Sequence, residues 1–379
     1  MTDEFGPLRQ RLAESLTAQG AFREPWIRGL LDAVARHDFA PDTVWTWQEE
    51  RWRPLHRADA PEQWSELVYH ADDALVTQVD DGRTADDGSG RIPTSSMSSA
   101  GAVVNMLASL DPAPNHRVLE IGTGTGYNAA LLCERVGAQR VVTVEVDADV
   151  VRHARRRLAA CGYGPEVIHG DGLAGAPDHA PFDRLIATAA AREIPAAWLE
   201  QMTPDGELVV PWLPNDQGLG LLWLRMREPG VARGYVHGAE TFMAIRAQRH
   251  ERPDLAGIWR ATRDDAREDQ QHQQLPALDV HGEFVLAACL PGVSAFQEGD
   301  GWFFLTGDRR SWARVDSDSA LLYGPRDLIA EVRAALAWWE QHNRPRLFDF
   351  GATVTADGPG TRLTLWLGED RTPVPTWPR

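Results

Sequence analysis

A glycine-rich turn between two apolar stretches is the strongest chemical signal in this chain of 379 residues. The segment RVLEIGTGTGYNAALL (117–132) predicts a short buried strand, a turn and a helix, with Gly122, Gly124 and Gly126 in the turn. Glycines let the backbone turn tightly against a ligand before the helix starts. Tyr127 occupies the position where a dinucleotide fingerprint has its third glycine, so we expect a cofactor without a pyrophosphate.

Two acidic residues follow, at the ends of the next two predicted strands. Glu145 ends the strand VVTVEV (141–146), where a carboxylate can accept hydrogen bonds from ribose hydroxyls. Asp171 lies in HGDG (169–172), where it could meet an adenine amino group. The alternative for Glu145 is a solvated acid at a strand end, and the alternative for the segment around Asp171 is an ordinary turn. With the glycine turn, these acids predict a nucleoside-binding edge.

The elements that must position these residues alternate between helix and strand from residue 98 to about residue 230. Such alternation is typical of α/β proteins, in which a mostly parallel sheet is covered by helices on both faces. The predicted strands are 117–121, 141–146, 166–170, 182–189, 206–212, 217–226 and 242–248. The predicted helices are 98–110, 128–136, 148–160 and 194–202.

Segments before this core predict two helices within residues 7–37, interrupted at Gly20 and Pro25. The stretch 78–96 is rich in Gly, Asp and Ser without an apolar period, which predicts an exposed loop. Loops of this length inside a domain are more often functional than accidental.

After about residue 250 the composition changes, and residues 251–279 are charged and Gln-rich, as in a linker or a solvated helix. A helix is predicted over 327–342 and a hairpin at ADGPG (356–360). We expect a catalytic domain over 1–250 and an α+β accessory domain over 251–379. The tail tryptophans are expected mainly in its core, with a peptide groove as the alternative; they are Trp302, Trp312, Trp338, Trp339 and Trp366.

The net charge, the cysteines and the lengths of the apolar runs exclude several classes of protein. The formal net charge is −17 and all 38 basic residues are Arg, which weighs against a nucleic-acid substrate. Three cysteines without a CxxC pair argue against a disulfide framework and against structural zinc. No apolar run approaches ~20 residues, and the acidic N-terminus lacks the apolar core of a secretory signal. The sequence therefore predicts a cytoplasmic enzyme that does not bind a membrane.

Several motifs in consistent order make the chain resemble the protein-L-isoaspartate O-methyltransferase family. The resemblance covers about residues 10 to 248, and it is specific because the motifs are linked at consistent spacings. The motifs are ARHDFAP (35–41), HADDAL (70–75), MSSAGAVVNML (97–107), VLEIGTGTGYNAALL (118–132), Glu145, GDG (170–172), FDRLIATAAA (182–191) and IPAAWLEQMTPDGELVVPW (194–212).

The resemblance implies a class I Rossmann-like methyltransferase that transfers a methyl group from S-adenosylmethionine to a peptide carboxylate, leaving S-adenosylhomocysteine. Ser98 matches the family's active-site serine, which implies that it orients the substrate carboxylate; capping the following helix is its alternative role. No metal is expected, because His37, His70 and His169 lack partners at metal-ligand spacing. The cofactor-binding residues implied are Met97, Glu120, Gly122, Thr123, Gly124, Thr125, Gly126, Asn128, Glu145, Val146, Asp171 and Gly172.

The chain departs from the family pattern in three places, one of which is the loop GRTADDGSGRIPTSS (82–96) with its extra Thr and Ser. Ala100 and Gly101 stand where the family typically has Pro and His, and the C-terminal domain is expected to have no counterpart in the family's repair enzymes. These departures resemble a subgroup that modifies ribosomally made peptides, including lanthipeptides, graspetides and lasso peptides. That resemblance implies methylation of an ordinary Asp in a constrained precursor peptide, followed by aspartimide formation and opening to isoaspartate.

Three alternatives stay open on the sequence alone. The first is repair of L-isoaspartyl residues in damaged proteins. The second is a nucleic-acid methyltransferase that shares the cofactor fold, which the charge of −17 opposes. The third is a binding module without catalysis, which the intact cofactor motifs oppose.

Overall fold

The computed structural model describes residues 4–215, 220–251, 253–269, 275–276, 278–299, 301–358 and 360–378. Two compact units are present, and neither is one continuous stretch of chain. The first comprises Met1–Ala189, Pro195–Val210 and Arg225–Val231, and the second comprises Ala190–Ile194, Pro211–Leu224 and Ala232–Arg379. The domain assignment at residue 250 stays a prediction. In the part of the chain described, no helix has both the length and the apolar character that crossing a bilayer requires.

The first unit begins with helices packed near a four-stranded antiparallel sheet in the order β2-β1-β3-β4. The two predicted N-terminal helices are confirmed, and each buries apolar residues, among them Leu16 and Ile27. The elements are α1 (Gly6–Ala18), α2 (Pro25–Ala33), β1 (Thr43–Gln48), β2 (Arg51–His56), α3 (Pro61–Val68), β3 (Leu75–Val79) and β4 (Pro93–Met97).

The predicted loop over 78–96 is wrong at both ends, because β3 extends to Val79 and β4 begins at Pro93. The sequence of β4, PTSSM, shows no alternation of apolar and polar residues. Pairing with β3 defines this strand instead, with Met97 opposite Leu75 and Ser96 opposite Val76.

A parallel sheet forms the rest of the first unit, with strands in the order β7-β6-β5-β8-β9. The predicted α/β fold is therefore confirmed. All four residues of the central strand β5 are buried, since it has parallel neighbours on both sides. The elements are α4 (Ala100–Leu110), β5 (Val118–Ile121), α5 (Tyr127–Val136), β6 (Val141–Glu145), α6 (Ala148–Ala160), β7 (Glu166–His169), β8 (Phe182–Ala187), α7 (Ala196–Glu200) and β9 (Met202–Pro211).

The second unit contains an antiparallel sheet in the order β12-β16-β15-β14-β13. The helix predicted over 327–342 and the hairpin predicted at 356–360 are confirmed as α10 and the β17–β18 pair. The remaining elements of the chain are β10 (Leu221–Glu228), β11 (Val231–Gly238), α8 (Leu255–Thr262), β12 (Arg267–Glu268), α9 (Val280–Cys289), β13 (Val293–Glu298), β14 (Gly301–Thr306), β15 (Trp312–Val315), β16 (Ala320–Tyr323), α10 (Leu328–Gln341), β17 (Phe350–Asp357), β18 (Gly360–Leu367) and β19 (Thr372–Pro373).

Two strand predictions need correction. The strand predicted over 217–226 begins at Leu221, and residues 217–219 lie outside the described part. The strand predicted over 242–248 is wrong, because this segment makes a single bridge at Ala244 and then a 3-10 turn. The Gln248 side chain holds that turn, since its Oε1 accepts from the Arg192 amide at 2.7 Å. Strand β11 was not predicted.

The aromatic core of the second unit centres on Trp312, which is fully buried and stacks on Phe303 at 5.5 Å between ring centroids. Its indole Nε1 donates to Thr262 Oγ1 at 2.8 Å. The prediction that most tail tryptophans are core residues is confirmed for Trp302, Trp312, Trp339 and Trp366. Trp338 is half-buried.

Candidate active site

The glycine turn connects the central strand β5 to helix α5. Gly122 and Gly124 have φ of +97° and +53°, a left-handed conformation that L side chains rarely adopt. A Cβ on Gly122 would lie 2.8 Å from Thr188 Oγ1, and one on Gly124 would lie 3.3 Å from the Ser96 carbonyl oxygen. Both positions therefore require glycine, and the backbone of β4 lies directly against the turn.

Glu145 occupies the end of β6 beside this turn. Its Oε2 accepts from the Gly124 amide at 3.0 Å, and its Oε1 accepts from the Asp147 amide at 3.1 Å. A carboxylate has about four acceptor sites, so two remain for hydroxyl donors from a ligand. The next residue, Val146, is 40% exposed, which leaves an apolar surface beside the carboxylate.

Asp171 lies after β7, the next strand along the same sheet. Its Oδ1 accepts from the Leu173 amide at 3.0 Å and caps a short 3-10 helix, while the side chain is exposed. A Cβ on Gly172 would lie 2.7 Å from Ile121 Cγ2, so this glycine permits close packing on β5. Because β5, β6 and β7 are parallel neighbours, Asp171 shares one edge of the sheet with Gly122 and Glu145.

Glu120 lies inside the protein rather than in an open cleft. Its side chain is 0% exposed, and it accepts from Asn128 Nδ2 at 2.7 Å and from Thr143 Oγ1 at 2.6 Å. Burial raises the pKa of Glu120 to about 7. The carboxylate therefore ties helix α5 to strand β6 beneath the turn. Six other residues of the predicted cofactor set are also buried, namely Met97, Thr123, Thr125, Gly126, Asn128 and Gly172.

The serine pair lies between β4 and α4. Ser99, not Ser98, caps the helix, because Ser99 Oγ accepts from the Ala102 amide at 3.2 Å. The alternative role of Ser98 as the helix cap is therefore wrong, and its side chain is half-buried. The Ser96 carbonyl contacts the glycine turn, and Ser98 lies two residues after Ser96 in the sequence. Ser98 is therefore close to the turn along the chain.

Two residues at the site were missed by sequence reasoning. Thr188 Oγ1, just after β8, donates to the Gly122 carbonyl at 2.6 Å. Arg36 Nη2 donates to the Ser98 carbonyl at 2.6 Å. Both residues lie in quoted motifs, FDRLIATAAA and ARHDFAP, which were the only signals for them.

The histidines near the motifs have local partners. His37 Nδ1 lies 2.6 Å from the Tyr69 hydroxyl, and His70 Nδ1 accepts from the Asp73 amide at 3.2 Å. His169 Nε2 lies 3.2 Å from the Val146 carbonyl. Within the described residues, His, Cys, Asp and Glu side chains form no group of three placed to hold a metal ion.

This edge fits a cofactor that carries a ribose and an adenine but no phosphate. Glu145 offers acceptor sites for ribose hydroxyls, and the glycines let the turn pack closely against Thr188 and the Ser96 carbonyl beside this carboxylate. Asp171 is exposed at the position expected for an adenine amino group. These features fit S-adenosylmethionine, which Glu145, Val146 and Asp171 would hold.

Comparison with known proteins gives the same result. The family model for protein-L-isoaspartate(D-aspartate) O-methyltransferase matches residues 75–225. A protein-L-isoaspartate O-methyltransferase of Methanopyrus kandleri is 32% identical over 245 residues, covering 64% of this chain and 92% of that protein. One of Polaromonas sp. is 45% identical over 115 residues, covering 30% of this chain and 48% of that protein.

A solved structure of a protein-L-isoaspartate O-methyltransferase aligns with 94% of this chain and 98% of its own, with a TM-score of 0.53 and 18% identity. This likeness shows the fold. Because the alignment leaves only a small part of the chain uncovered, it extends into the C-terminal region. The expectation that this region has no counterpart in the family's repair enzymes stays a prediction.

The fold and the site define a class I methyltransferase that depends on S-adenosylmethionine. The extent of the match to the Methanopyrus kandleri protein shows the family. The chain belongs to the protein-L-isoaspartate(D-aspartate) O-methyltransferase family and is a protein carboxyl O-methyltransferase, with an additional antiparallel sheet in its C-terminal region.

Gly124→Ala should weaken binding of S-adenosylhomocysteine, measured by isothermal titration calorimetry. The added Cβ meets the Ser96 carbonyl in a left-handed conformation, so we expect the free turn to shift away from the geometry that holds the ligand. Restoring that geometry on binding at a cost of ~1–2 kcal/mol corresponds to about tenfold in affinity. Gly162→Ala is the matched control, since Gly162 has φ +83° with nothing within 4 Å of its Cβ position. Equal affinities for the two variants would contradict the placement of the cofactor at this turn.

Glu120→Gln should change the pH dependence of stability. The folded-state pKa of Glu120, about 7, lies above the unfolded value near 4.5, so its stabilising contribution is complete below about pH 4.5. That contribution is lost as the pH rises through about 7. Urea unfolding at pH 5 and pH 7.5 should therefore show a larger loss of stability for the wild type than for the variant. Parallel losses would show that Glu120 does not titrate in this range.

Proposed function

We propose that the enzyme methylates the side-chain carboxylate of an Asp residue in a ribosomally made, constrained peptide. The backbone amide nitrogen that follows this Asp then attacks the ester carbonyl. Methanol leaves, and an aspartimide ring forms. Hydrolysis of the ring yields isoaspartate alongside aspartate.

The chemistry requires no general base, because an Asp carboxylate with a reference pKa near 4 is ionised at neutral pH. S-adenosylmethionine supplies an electrophilic methyl group, which passes to a carboxylate oxygen as the carbon–sulfur bond breaks and S-adenosylhomocysteine is left. Ser98 would donate its hydroxyl hydrogen to one carboxylate oxygen and so direct the other oxygen towards the methyl group. The protein's contribution is alignment of the two groups and exclusion of water.

The observation that carries the choice of substrate is the remodelled segment after Ser98. Ala100 is fully buried, and the Gly101 amide donates to the Ala71 carbonyl at 3.0 Å. A Cβ on Gly101 would lie 3.5 Å from that carbonyl and 3.8 Å from Gln19 Oε1, so a larger residue would project towards these groups. Small residues stand here where the resemblance expects Pro and His, and this departure from the repair enzymes supports a different substrate. Recognition of the peptide by the C-terminal region is part of the proposal.

Repair of L-isoaspartyl residues in damaged proteins is the second candidate. The Methanopyrus kandleri and Polaromonas relatives are protein-L-isoaspartate O-methyltransferases by name. The solved structure that aligns with 94% of this chain carries the same name, so a C-terminal extension does not separate the two candidates.

Mass spectrometry of two peptides incubated with the enzyme and S-adenosylmethionine tests the choice. One peptide carries isoaspartate, and the other is a constrained, ribosomally made precursor peptide with ordinary Asp. We expect a methyl gain followed by loss of methanol on the precursor alone, with an Asp→Asn precursor as the unreactive control. Methylation of the isoaspartyl peptide alone would make this a repair enzyme.

Replacing Ser98 and Ser99 separately distinguishes orientation of the substrate carboxylate from capping of helix α4. Ser98→Ala should lower kcat about 10- to 100-fold at unchanged melting temperature, because a hydrogen bond to a charged group contributes ~1.5–3 kcal/mol. Ser99→Ala should instead lower the free energy of unfolding by ~1 kcal/mol, since it removes the cap of α4. A kcat for Ser98→Ala equal to that of the wild type would remove Ser98 from the mechanism.

A further inference from the structure

Arg36 is a buried cation in the segment ARHDFAP (35–41). The proposed function assigns no role to this residue. It starts a 3-10 turn two residues after the C-cap residue Val34 of α2, and it is 1% exposed. Burial lowers the pKa of its guanidinium, and placing a charge inside a protein is costly unless its hydrogens are bonded. Its contacts therefore indicate what the cation is for.

The Arg36 guanidinium donates hydrogen bonds to backbone carbonyls of two segments that are distant in the sequence. Its Nε donates to the Val68 carbonyl at 2.6 Å, and its Nη2 donates to the Ser98 carbonyl at 2.6 Å. The planar fork of Arg can fix two acceptors at once, which a Lys ammonium cannot do with the same geometry. The backbone of Ser98 is thus held in place by a rigid, buried group.

The same guanidinium lies over the ring of Tyr127, with its Cζ 5.1 Å from the ring centroid. Tyr127 is the first residue of α5 and directly follows Gly126, the last glycine of the cofactor turn. Arg36 therefore contacts both the serine segment and the start of the helix that leaves the turn. Its third contact, Val68, ends α3.

Arg36 also borders a small cavity. Nη1 is buried and lacks a hydrogen-bond partner among the residues the structure describes. The cavity has a volume of about 20 Å³, enough for one water molecule, and its lining includes Asp32, Tyr69 and Tyr127. The two direct hydrogen bonds go to carbonyls, so the geometry favours a role in fixing the backbone.

We propose that Arg36 is the positioning residue for Ser98. It fixes the Ser98 backbone relative to the start of α5, and so sets the separation between the substrate carboxylate and the cofactor. This inference rests on the proposed role of Ser98. A displacement of about 1 Å between reacting groups can cost about 100-fold in rate, so the effect of loosening this contact is measurable.

The kinetic test uses Arg36→Lys with Arg135→Lys as the matched control. Arg135 also donates to a carbonyl, that of Pro112 at 2.7 Å, and lies over the Trp26 ring at 4.1 Å. We expect Arg36→Lys to lower kcat about 10- to 100-fold with the affinity for S-adenosylhomocysteine within about threefold of wild type. Arg135→Lys should leave both unchanged. A kcat loss no larger than that of the control would overturn the inference.

A double-mutant cycle shows whether Arg36 acts through Ser98. In the Ser98→Ala background, Arg36→Lys should cause a further loss of less than about threefold, because the orientation it supports is already absent. Equal losses in both backgrounds would indicate a general structural role and overturn the inference. A parallel loss of S-adenosylhomocysteine affinity would do the same.

Hydrogen exchange gives a readout that needs no methylated product. The amides of Gly101 and Ala102 report on the segment after Ser98, since they bond Ala71 and Ser99. We expect faster exchange over 97–103 in Arg36→Lys than in the wild type or Arg135→Lys, with 122–128 unchanged. Unchanged exchange over 97–103, or a rise throughout the chain, would overturn the inference. If the wild type methylates neither peptide, this result still decides the role of Arg36, and the proposed function fails separately.

Discussion

The approach of two backbones at Gly124 is the constraint on which the site depends. The carbonyl of Ser96 lies 3.3 Å from the position that a Cβ on Gly124 would take. A side chain at this point would push strand β4 and the turn apart by a few tenths of an ångström. Because none is present, the end of β4, two residues before Ser98, lies against the turn that follows β5. The same glycine donates its amide to Glu145, so one residue links strand β4 to the carboxylate that we propose binds the ribose.

The charges around the site suit a reaction that needs no proton acceptor. Methyl transfer joins an anionic carboxylate and a cationic sulfonium and leaves neutral products, so a water-free site favours it. The Glu120 carboxylate accepts hydrogen bonds from Asn128 and Thr143, and the Arg36 guanidinium donates hydrogen bonds to backbone carbonyls. Neither buried group is directed at a substrate proton. Both instead hold the backbone that surrounds the turn.

Local sequence signals were enough to predict the parallel sheet, the glycine turn and the position of Glu145. Each depends on short-range spacing, since a buried strand, a glycine turn and a helix follow one another within 16 residues (117–132). Strand β4 was missed because its sequence, PTSSM, carries no apolar period and its pairing with β3 defines it. The apolar residues of the segment 242–248 favoured a strand. Its end instead forms a 3-10 turn, where the Gln248 side chain accepts a hydrogen bond from the Arg192 amide.

Other features depend on contacts that spacing cannot reveal. Ser98 and Ser99 are neighbours of the same type, and only backbone geometry decides that Ser99 caps α4. The carbonyl partners of Arg36 lie 32 and 62 residues away along the chain. The burial of Glu120 likewise depends on Asn128 and Thr143, which come from different elements.

A crystal structure of the enzyme with S-adenosylhomocysteine would test the placement of the cofactor most directly. We expect the ribose hydroxyls to bond the Glu145 carboxylate, the adenine to lie between Val146 and Asp171, and the sulfur to face Ser98. A ribose bound away from Glu145, or a sulfur facing away from the serine segment, would contradict this arrangement.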